Sequence, residues 1–250
     1  LKIITDKLAE CIDISSVREY NIEAGRPDTI TAEKLKVIKN AGVTRISVNP
    51  QTLNDNVLKI IGRRHSAEDT IKAFYMARDI GFDNINMDLI AGLPGDDYPS
   101  FENTLDRILE MNPESITVHT LTIKRSAKLY EENIQKFIDN PAAKMVGKSI
   151  KVLPENGYYP YYLYRQKNTI ENLENIGFAR KGKESLYNIF IMDETQTILG
   201  AGCAASTKLV TPDGKITRIH NYKFPYEYIN RFDELMEKKK QIYDILGNQV

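Results

Sequence analysis

A unit made of a helical pattern, a turn residue and a short strand occurs three times in this chain of 250 residues. The copies cover residues 34–50, 71–90 and 105–121. In each copy a glycine or an asparagine follows the helical pattern, where helices commonly end in a left-handed C-terminal cap. The strands that follow, RISV, INMDLI and ITVHTL, are apolar and β-branched on both faces, which is typical of a buried parallel sheet. This alternation predicts β/α repeats.

The predicted helix starts agree with the repeat, and a fourth unit precedes the three. The segment SSVREYNIEAG predicts a strand that ends near Glu23. Ser66 is placed to cap a helix, with Asp69 three residues later in the manner of a capping box. Ser100 or one of its neighbours is expected to begin the next helix. We therefore predict four consecutive β/α units over about residues 14–122.

Polar residues stand where each predicted strand ends. They are Glu23, Asn49 with Gln51, Asp88, and His119 with Thr120. In β/α repeats, active sites form at the carboxyl ends of the strands, so these residues are expected to share one rim of the sheet. A single residue of this kind is as easily a helix cap or a strand-end bond. Four successive strands that end this way favour a ligand site, which would supply the partner that a carboxylate such as Asp88 needs in an apolar strand.

Charge and cysteine content exclude several kinds of partner. Lys and Arg together number 34, as do Asp and Glu, so the formal net charge is zero. A neutral chain has no bulk electrostatic attraction for nucleic acid or for an anionic membrane. No apolar run approaches the length of a membrane span. The two cysteines, Cys11 and Cys203, are typical of reduced thiols and not of a disulfide framework, so a cytoplasmic protein is expected.

Several separated segments resemble one known family. They are NIEAGRPDT, GVTRISVNPQTLNDNVLKIIGRRHSAEDTIKAF, IGFDNINMDLIAGLPGDDYPSFENTL and MNPESITVHTL. In this order they resemble the radical S-adenosylmethionine enzymes of the oxygen-independent coproporphyrinogen III oxidase (dehydrogenase) family. The segments YYPYYLYRQKNTIENLENIGFARKGKESLYNI and TILGAGCAAS are similar to that family's C-terminal region, in a divergent branch with a YYLYRQKN string. The resemblance covers about residues 18–207.

The resemblance implies a fold and a chemistry. The fold is α/β, a partial (β/α)6 TIM-like barrel of which residues 1–125 would hold units three to six, followed by an α+β substrate-region extension over residues 126–250. The implied cofactors are S-adenosylmethionine and a [4Fe–4S] cluster, which together yield a 5′-deoxyadenosyl radical. In the coproporphyrinogen enzymes that radical removes hydrogen from propionate side chains, which lose CO2 and become the vinyl groups of protoporphyrinogen IX in heme biosynthesis. The implied partners are a tetrapyrrole substrate and a flavodoxin- or ferredoxin-like reductant.

The resemblance also implies an S-adenosylmethionine site. Glu23 in NIEAG and Gln51 in NPQTL match residues at the ends of the third and fourth barrel strands that contact this cofactor. Arg63 in IGRRH matches the arginine that pairs with the methionyl carboxylate, a task that suits a planar guanidinium. Asp88 in MDLIAGLPG matches the fifth-strand aspartate, and Ile90 is expected to pack against adenine. Without the resemblance, Arg63 would be interpreted as part of a solvated basic helix end.

The family's cluster motif, Cys-x-x-x-Cys-x-x-Cys, does not occur in this sequence. Cys11 and Cys203 cannot supply the thiolates that a [4Fe–4S] cluster needs. We therefore expect a fragment without the first two barrel units, which is inactive in radical chemistry by itself and binds S-adenosylmethionine weakly. The strand near Glu23 would then be an exposed edge, so a dimer through this edge, or poor solubility, is expected.

The tyrosine-rich segment YYPYYLYRQKN is the candidate substrate region. Tyr161 and Tyr162 are expected to face a tetrapyrrole, and Arg165 and Lys167 are expected to pair with its propionates, because the family string covers these positions. Asn168 is a further candidate substrate residue. The alternative is a hydrophobic hairpin or an interface patch, which are common roles of tyrosines. No catalytic residue is assigned.

The remaining C-terminal segments predict helices and a turn. Residues 131–140 and 141–157 have helical patterns, and residues 222–245 predict one amphipathic helix. The Gly-rich segment TILGAGCAAS predicts a strand and turn that return to the barrel mouth. Its lone Gly-x-Gly is only a weak sign of phosphate binding.

Two other functions stay open. Heme-binding chaperones of the same superfamily carry a His-Asn-x-x-Tyr-Trp string near LYNIF, whereas this chain has Tyr187 in place of that His and no Trp. The candidate axial ligands for heme would be His65, His119 and His220. A plain β/α-barrel enzyme would instead use Glu23 and Asp88 for acid–base catalysis, without S-adenosylmethionine or iron.

Overall fold

The computed structural model describes residues 1–122, 141–165, 169, 172–211 and 213–246. The chain divides into two units, Leu1–Ser185 and Leu186–Val250. A six-stranded sheet forms the centre of the first unit, and the second contains a two-stranded sheet.

The sheet of the first unit combines four parallel strands with two antiparallel ones. In chain order the strands are β1 (Asn21–Gly25), β2 (Arg45–Val48), β3 (Ile85–Ala91), β4 (Ser115–Thr120), β5 (Tyr159–Tyr164) and β6 (Asn175–Ala179). Their spatial order is β1-β2-β3-β4-β6-β5. The first four are parallel, and β6 runs antiparallel to both β4 and β5. Strand β1 lies at the edge of this sheet, and its pairing with another chain stays a prediction.

Strands β5 and β6 come from the predicted extension and join the same sheet as the predicted barrel strands. The boundary between the two units therefore falls after Ser185. The predicted boundary at 125/126 is of another kind, since it separates the barrel strands from their extension, and it stays a prediction.

Helices connect the parallel strands. Those of the first unit are α1 (Lys2–Cys11), α2 (Ala32–Asn40), α3 (Asp55–Ile60), α4 (Ala67–Asp79), α5 (Tyr98–Met111) and α6 (Ala142–Glu155). The capping box predicted at Ser66 and Asp69 is present. Helix α6 confirms the helix predicted over residues 141–157, whereas the one predicted over 131–140 lies outside the described residues.

Helix α5 begins at Tyr98 and is capped by Asp97, and both are neighbours of Ser100. The Ser100 N–H donates to Asp97 Oδ1 at 2.8 Å, so the carboxylate satisfies a backbone donor that has no partner within the helix. At the other end Asn112 adopts the left-handed conformation, with φ of 56°, as its place after the helical pattern predicts.

Loss of this cap is expected to destabilise the chain measurably. Asp97→Ala should lower the free energy of unfolding by about 1 kcal/mol, because the Ser100 N–H loses its acceptor. Urea denaturation followed by circular dichroism measures the difference. Asp106→Ala, the same change at an exposed position inside α5, is the control and is expected to cause no loss. Equal losses in the two variants would contradict the role of the cap.

The two faces of the large sheet differ in chemistry. One face is apolar and no more than 1% exposed at Ile46, Val48, Met87, Leu89, Ile116 and Val118. These side chains share one core with residues of α2, α4, α5 and α6. Most of the alternate positions on the other face are polar: Ser47, Asn86, Asp88, Ser115, Thr117 and His119. The strands are buried as predicted, but the second face is mainly polar, with Ile90 as an apolar member.

The second unit contains an antiparallel pair, β7 (Ser206–Val210) and β8 (Ile216–His220). Its helices are α7 (Leu186–Asp193), α8 (Pro225–Asn230) and α9 (Phe232–Leu246). The single helix predicted over 222–245 is therefore two helices that meet at Arg231. In TILGAGCAAS, Ile198 forms one isolated bridge with Lys208 of β7. Across the described parts of both units, no helix is long and apolar enough to cross a membrane.

Candidate functional site

Polar side chains of the large sheet converge on one face toward the carboxyl ends of the parallel strands. Asp88 is in register with Thr117, Thr117 with Gly177, and Gly177 with Tyr162. Register partners project from the same face of a sheet, so these positions form a row across β3, β4, β6 and β5. The "polar-face site" is defined as Glu23, Asn49, Gln51, Asp88, His119 and Tyr162.

Glu23 lies at the sheet edge and is bonded to Asn49, which follows β2. Asn49 Nδ2 donates to Glu23 Oε1 at 2.6 Å. Loss of solvation around the carboxyl group and the negative charge of Asp88 raise the pKa of Glu23, although Asn49, Ser47 and Arg45 act in the opposite direction. Asn49 Oδ1 is buried and has no hydrogen-bond partner among the described residues. A buried acceptor without a donor fits a ligand that donates a hydrogen bond.

Gln51 links the turn after β2 to β3. Its backbone is left-handed, with φ of 68°, a conformation that costs a non-glycine residue about 1 kcal/mol or more. The Gln51 N–H donates to the Asp88 carbonyl at 3.0 Å, and the Ile90 N–H donates to the Gln51 carbonyl at 2.9 Å. The structure therefore brings the backbones of Gln51, Asp88 and Ile90 together, and the roles of these residues at S-adenosylmethionine stay predictions.

Asp88 has a polar partner on each side of its carboxylate. Asn86 Nδ2 donates to Asp88 Oδ1 at 2.7 Å. His119 Nε2 lies 3.7 Å from Asp88 Oδ2, and the Asp88 side chain is 17% exposed. Asn86 is itself held by the hydroxyl groups of Ser115 and Thr117, which donate to its Oδ1. These partners reduce the cost of placing a carboxylate inside the sheet.

Arg63 lies in the turn between α3 and α4. Its N–H donates to the Leu58 carbonyl at 2.9 Å, after Gly62 with φ of 71°. The side chain is half-buried, and its charge acts on His65. Within the described part of the chain no hydrogen bond or ion pair joins Arg63 to Asp88, so its cofactor role stays a prediction.

Tyr162 reaches the polar face by lying over Gly177. A Cβ added to Gly177 would come within 1.8 Å of Tyr162 Cε1. The Tyr162 hydroxyl bonds to the Thr117 side chain, and burial raises the pKa of Tyr162. Sequence analysis did not single out Gly177. A glycine inside the strand NIGFA is nevertheless the signal that another group approaches the backbone closely.

The other candidate substrate residues are placed less centrally. Tyr161 packs edge-to-face on Tyr162, with ring centroids 4.8 Å apart. Arg165 Nη2 donates to Glu174 Oε1 at 2.7 Å, and the Arg165 side chain is 57% exposed. Lys167 and Asn168 lie outside the described residues. Among the candidate substrate residues that the structure describes, Tyr162 is the one that the strand register places in the row with Asp88.

A buried arginine lies at the amino end of the same face. Arg45 is 2% exposed. Its Nη1 donates to Asn84 Oδ1 at 2.8 Å and to the Lys183 carbonyl at 3.0 Å, and its Nη2 donates to Ser115 Oγ at 2.7 Å. Its charge lowers the pKa of Glu23. No local pattern in RISV distinguishes this arginine from a solvent-exposed one.

The chain's thiols do not fit the iron–sulfur cluster that the resemblance implies. The sequence contains two cysteines, Cys11 and Cys203, and both are exposed. Clusters of this type are held by several cysteine thiolates at one place. In the described ranges no group of three or more His, Cys, Asp or Glu residues is arranged to hold a metal ion.

Comparison with known proteins decides the family. Residues 4–108 match the Radical SAM superfamily. Over 230 residues the chain is 45% identical to the oxygen-independent coproporphyrinogen-III oxidase-like protein HemZ of Bacillus subtilis, covering 91% of this chain and 46% of that protein. The chain belongs to the radical SAM superfamily. The predicted family resemblance is confirmed.

A second relative carries a different name. The chain is 31% identical over 204 residues to the heme chaperone HemW of Bacillus subtilis, covering 81% of this chain and 52% of that protein. The chain thus spans about half the length of the curated relatives it matches.

A solved structure confirms the fold. The coproporphyrinogen III oxidase HemN from Escherichia coli, described as a radical SAM enzyme, matches with a TM-score of 0.60 and 24% identity. The match covers 86% of this chain and 49% of that one. A likeness at this identity shows the fold alone. It confirms the predicted α/β architecture of a radical SAM barrel.

Proposed function

We propose that this chain forms the S-adenosylmethionine-binding part of a radical enzyme that converts coproporphyrinogen III to protoporphyrinogen IX by oxidative decarboxylation in heme biosynthesis. The observation that supports this most directly is the backbone junction at Gln51, which joins the turn after β2 to Asp88 and Ile90. The 45% identity to a protein named oxygen-independent coproporphyrinogen-III oxidase-like supports the choice of substrate class.

The polar-face site offers acceptors that fit S-adenosylmethionine. Glu23, Asp88 and the unpartnered Asn49 Oδ1 would accept hydrogen bonds from its amine and hydroxyl groups. Arg63 would pair with its carboxylate. Ile90, which is half-buried, would pack against adenine.

The substrate would lie beside this cofactor. Each of the two propionates that react would lose one hydrogen atom, CO2 and one electron, which leaves a vinyl group, and the electron would pass to an oxidant outside this chain. S-adenosylmethionine, when bound, supplies the acceptor of that hydrogen atom. Tyr162 would form a wall of the substrate space, and Arg165 would exchange Glu174 for a propionate. A flavodoxin- or ferredoxin-like reductant is proposed for the whole protein, and no step is assigned to a cluster on this chain's own residues.

Binding of S-adenosylhomocysteine to the chain tests this proposal. Isothermal titration calorimetry should detect binding to the wild type, and Asp88→Asn should weaken it at least about tenfold, because a charged acceptor is lost. Asp83→Asn is the matched control, since Asp83 precedes the other end of β3, is 80% exposed and pairs with Lys183. The control is expected to bind like the wild type. No binding by the wild type, or equal affinity in Asp88→Asn, would overturn the proposed site.

The relative named heme chaperone HemW favours a second candidate function, heme binding. An axial ligand needs an accessible imidazole, whereas the His65 side chain is fully buried and its Nε2 lies 3.3 Å from the Pro50 carbonyl. His220 is exposed. Titration of the chain with hemin should leave the Soret band of free hemin unchanged if the enzyme proposal is right. A Soret shift that His220→Gln abolishes would favour the chaperone.

A third candidate is an acid–base enzyme that needs neither S-adenosylmethionine nor iron. The raised pKa of Glu23 beside Asp88 is the feature that favours it. Catalysis by the metal-free chain without S-adenosylmethionine would support this function over the other two.

A further inference from the structure

His119 is a member of the polar-face site for which no motif gives a role. It lies on β4 in register with Ile90, and its side chain is 28% exposed. Its Nε2 lies 3.7 Å from Asp88 Oδ2. At this distance, and on a largely buried face, two ionisable groups interact more strongly than they would in water.

A fixed amide holds His119 on its other side. The Asn175 side chain, from β6, interacts with the imidazole, and Asn175 is 1% exposed. Asn175 Oδ1 accepts from the Thr120 N–H at 2.9 Å, and its Nδ2 donates to the Tyr164 carbonyl at 3.3 Å. The imidazole of His119 therefore interacts with the Asp88 carboxylate and with the Asn175 amide. Hydrogen bonds to the backbone of β4 and β5 fix the orientation of that amide.

The surroundings of His119 favour its charged form. Burial of the ring lowers the pKa of His119, but Asp88, Asn175 and the charge of Glu23 outweigh burial and raise that pKa above its usual value. Among the described residues, the charged groups that raise the pKa of the ring are thus Asp88 from β3 and Glu23 from β1. Tyr162 from β5 is neutral, since burial raises the pKa of its hydroxyl.

We propose that His119 is a positioning residue of the ligand site, whose imidazolium pairs with Asp88 and fixes the carboxylate that accepts hydrogen bonds from the ligand. Without this cation, Asp88 and Glu23 would be two carboxylates acting on each other, and like charges at one site repel. The identity of the ligand rests on the proposed function, whereas the pairing of His119 with Asp88 does not.

NMR titration of the histidines tests the pairing without any ligand. The chain has three histidines, so His65→Gln, His119→Gln and His220→Gln assign the imidazole signals. Asp88→Asn is expected to lower the pKa of His119 by about one unit or more, because the opposite charge is removed. Asp83→Asn is the control and is expected to leave that pKa in place. An unchanged His119 titration in Asp88→Asn would overturn the proposal.

The pH dependence of ligand binding tests the positioning role. Affinity of the wild type for S-adenosylhomocysteine should fall on the order of three- to tenfold as pH rises through the His119 pKa, since the imidazolium is lost. His119→Gln should bind more weakly below that pH and show no such fall, whereas His220→Gln should follow the wild type. A His119→Gln profile parallel to the wild type would overturn the role. If the wild type does not bind at all, the proposed function fails, and the NMR titration alone decides the pairing.

Discussion

Replacement of Arg45 by methionine is expected to lower the free energy of unfolding by about 3 kcal/mol. The guanidinium is 2% exposed and donates to Asn84, Ser115 and the Lys183 carbonyl, so its hydrogen bonds join the start of β2 to three other segments. Methionine fills a similar volume but removes the donor from these three oxygens, of which Ser115 Oγ is in a fully buried bond. Urea denaturation of both proteins measures the loss.

The control for Arg45→Met is Arg26→Met. Arg26 makes a two-point ion pair with Asp28 in an exposed turn, and its side chain is 47% exposed. Exposed pairs contribute about 1 kcal/mol or less, so the control should change stability little. Equal effects at the two positions would contradict the buried network. Arg45→Met should also raise the pKa of Glu23 further, because a positive charge that lowers it is removed.

The alternation of elements was predictable because its signals are local. Gly42 and Gly81 have positive φ values of 86° and 99°, and Asn112 has one of 56°, at the turns where the pattern places them. The capping box of α4 follows from residues three apart. The second unit shows the limit of such reasoning, because an amphipathic pattern over residues 222–245 does not reveal that the helix breaks at Arg231.

The polar face could not be predicted from single strands, because it is a property of the register between strands. Each of RISV, INMDLI and ITVHTL contains a few polar residues that, taken alone, are compatible with strand ends or caps. Asp88, Thr117, Gly177 and Tyr162 become one row only once four strands are aligned. The antiparallel return of β6 beside β4 also brings Asn175 to His119, and no spacing in the sequence indicates this contact.

The residues that the family resemblance implies for the cofactor site differ in how closely the structure links them to one another. Gln51, Asp88 and Ile90 are linked by two backbone hydrogen bonds. Glu23 lies close enough to Asp88 for the charge of Asp88 to raise the pKa of Glu23. Arg63 follows the turn at Gly62, and its contact with a ligand stays a prediction.

Gly177→Ala is expected to lower the free energy of unfolding by about 2 kcal/mol, because overpacking at a buried contact forces neighbouring groups to move. The added Cβ would lie 1.8 Å from Tyr162 Cε1 and 2.4 Å from Cδ1, so the ring must leave its place over β6. Tyr162 cannot tilt freely, since Tyr161 packs on its edge and Tyr164 stacks beside it with centroids 6.2 Å apart. Gly147→Ala in α6 is the control, where nothing lies within 4 Å of the new methyl group. There alanine should stabilise the helix by about 0.5–1 kcal/mol.

A double-mutant cycle separates the displaced tyrosine from other causes of instability. In a Tyr162→Ala background the space over Gly177 is empty, so Gly177→Ala should cost about 0.5 kcal/mol or less, which corresponds to a coupling of more than about 1 kcal/mol. An equal loss in both backgrounds would show that the ring does not lie over Gly177. Displacement of Tyr162 also removes its hydroxyl from Thr117, the register partner of Asp88. Gly177→Ala should therefore weaken binding at the polar-face site even though Gly177 itself has no side chain to contact a ligand.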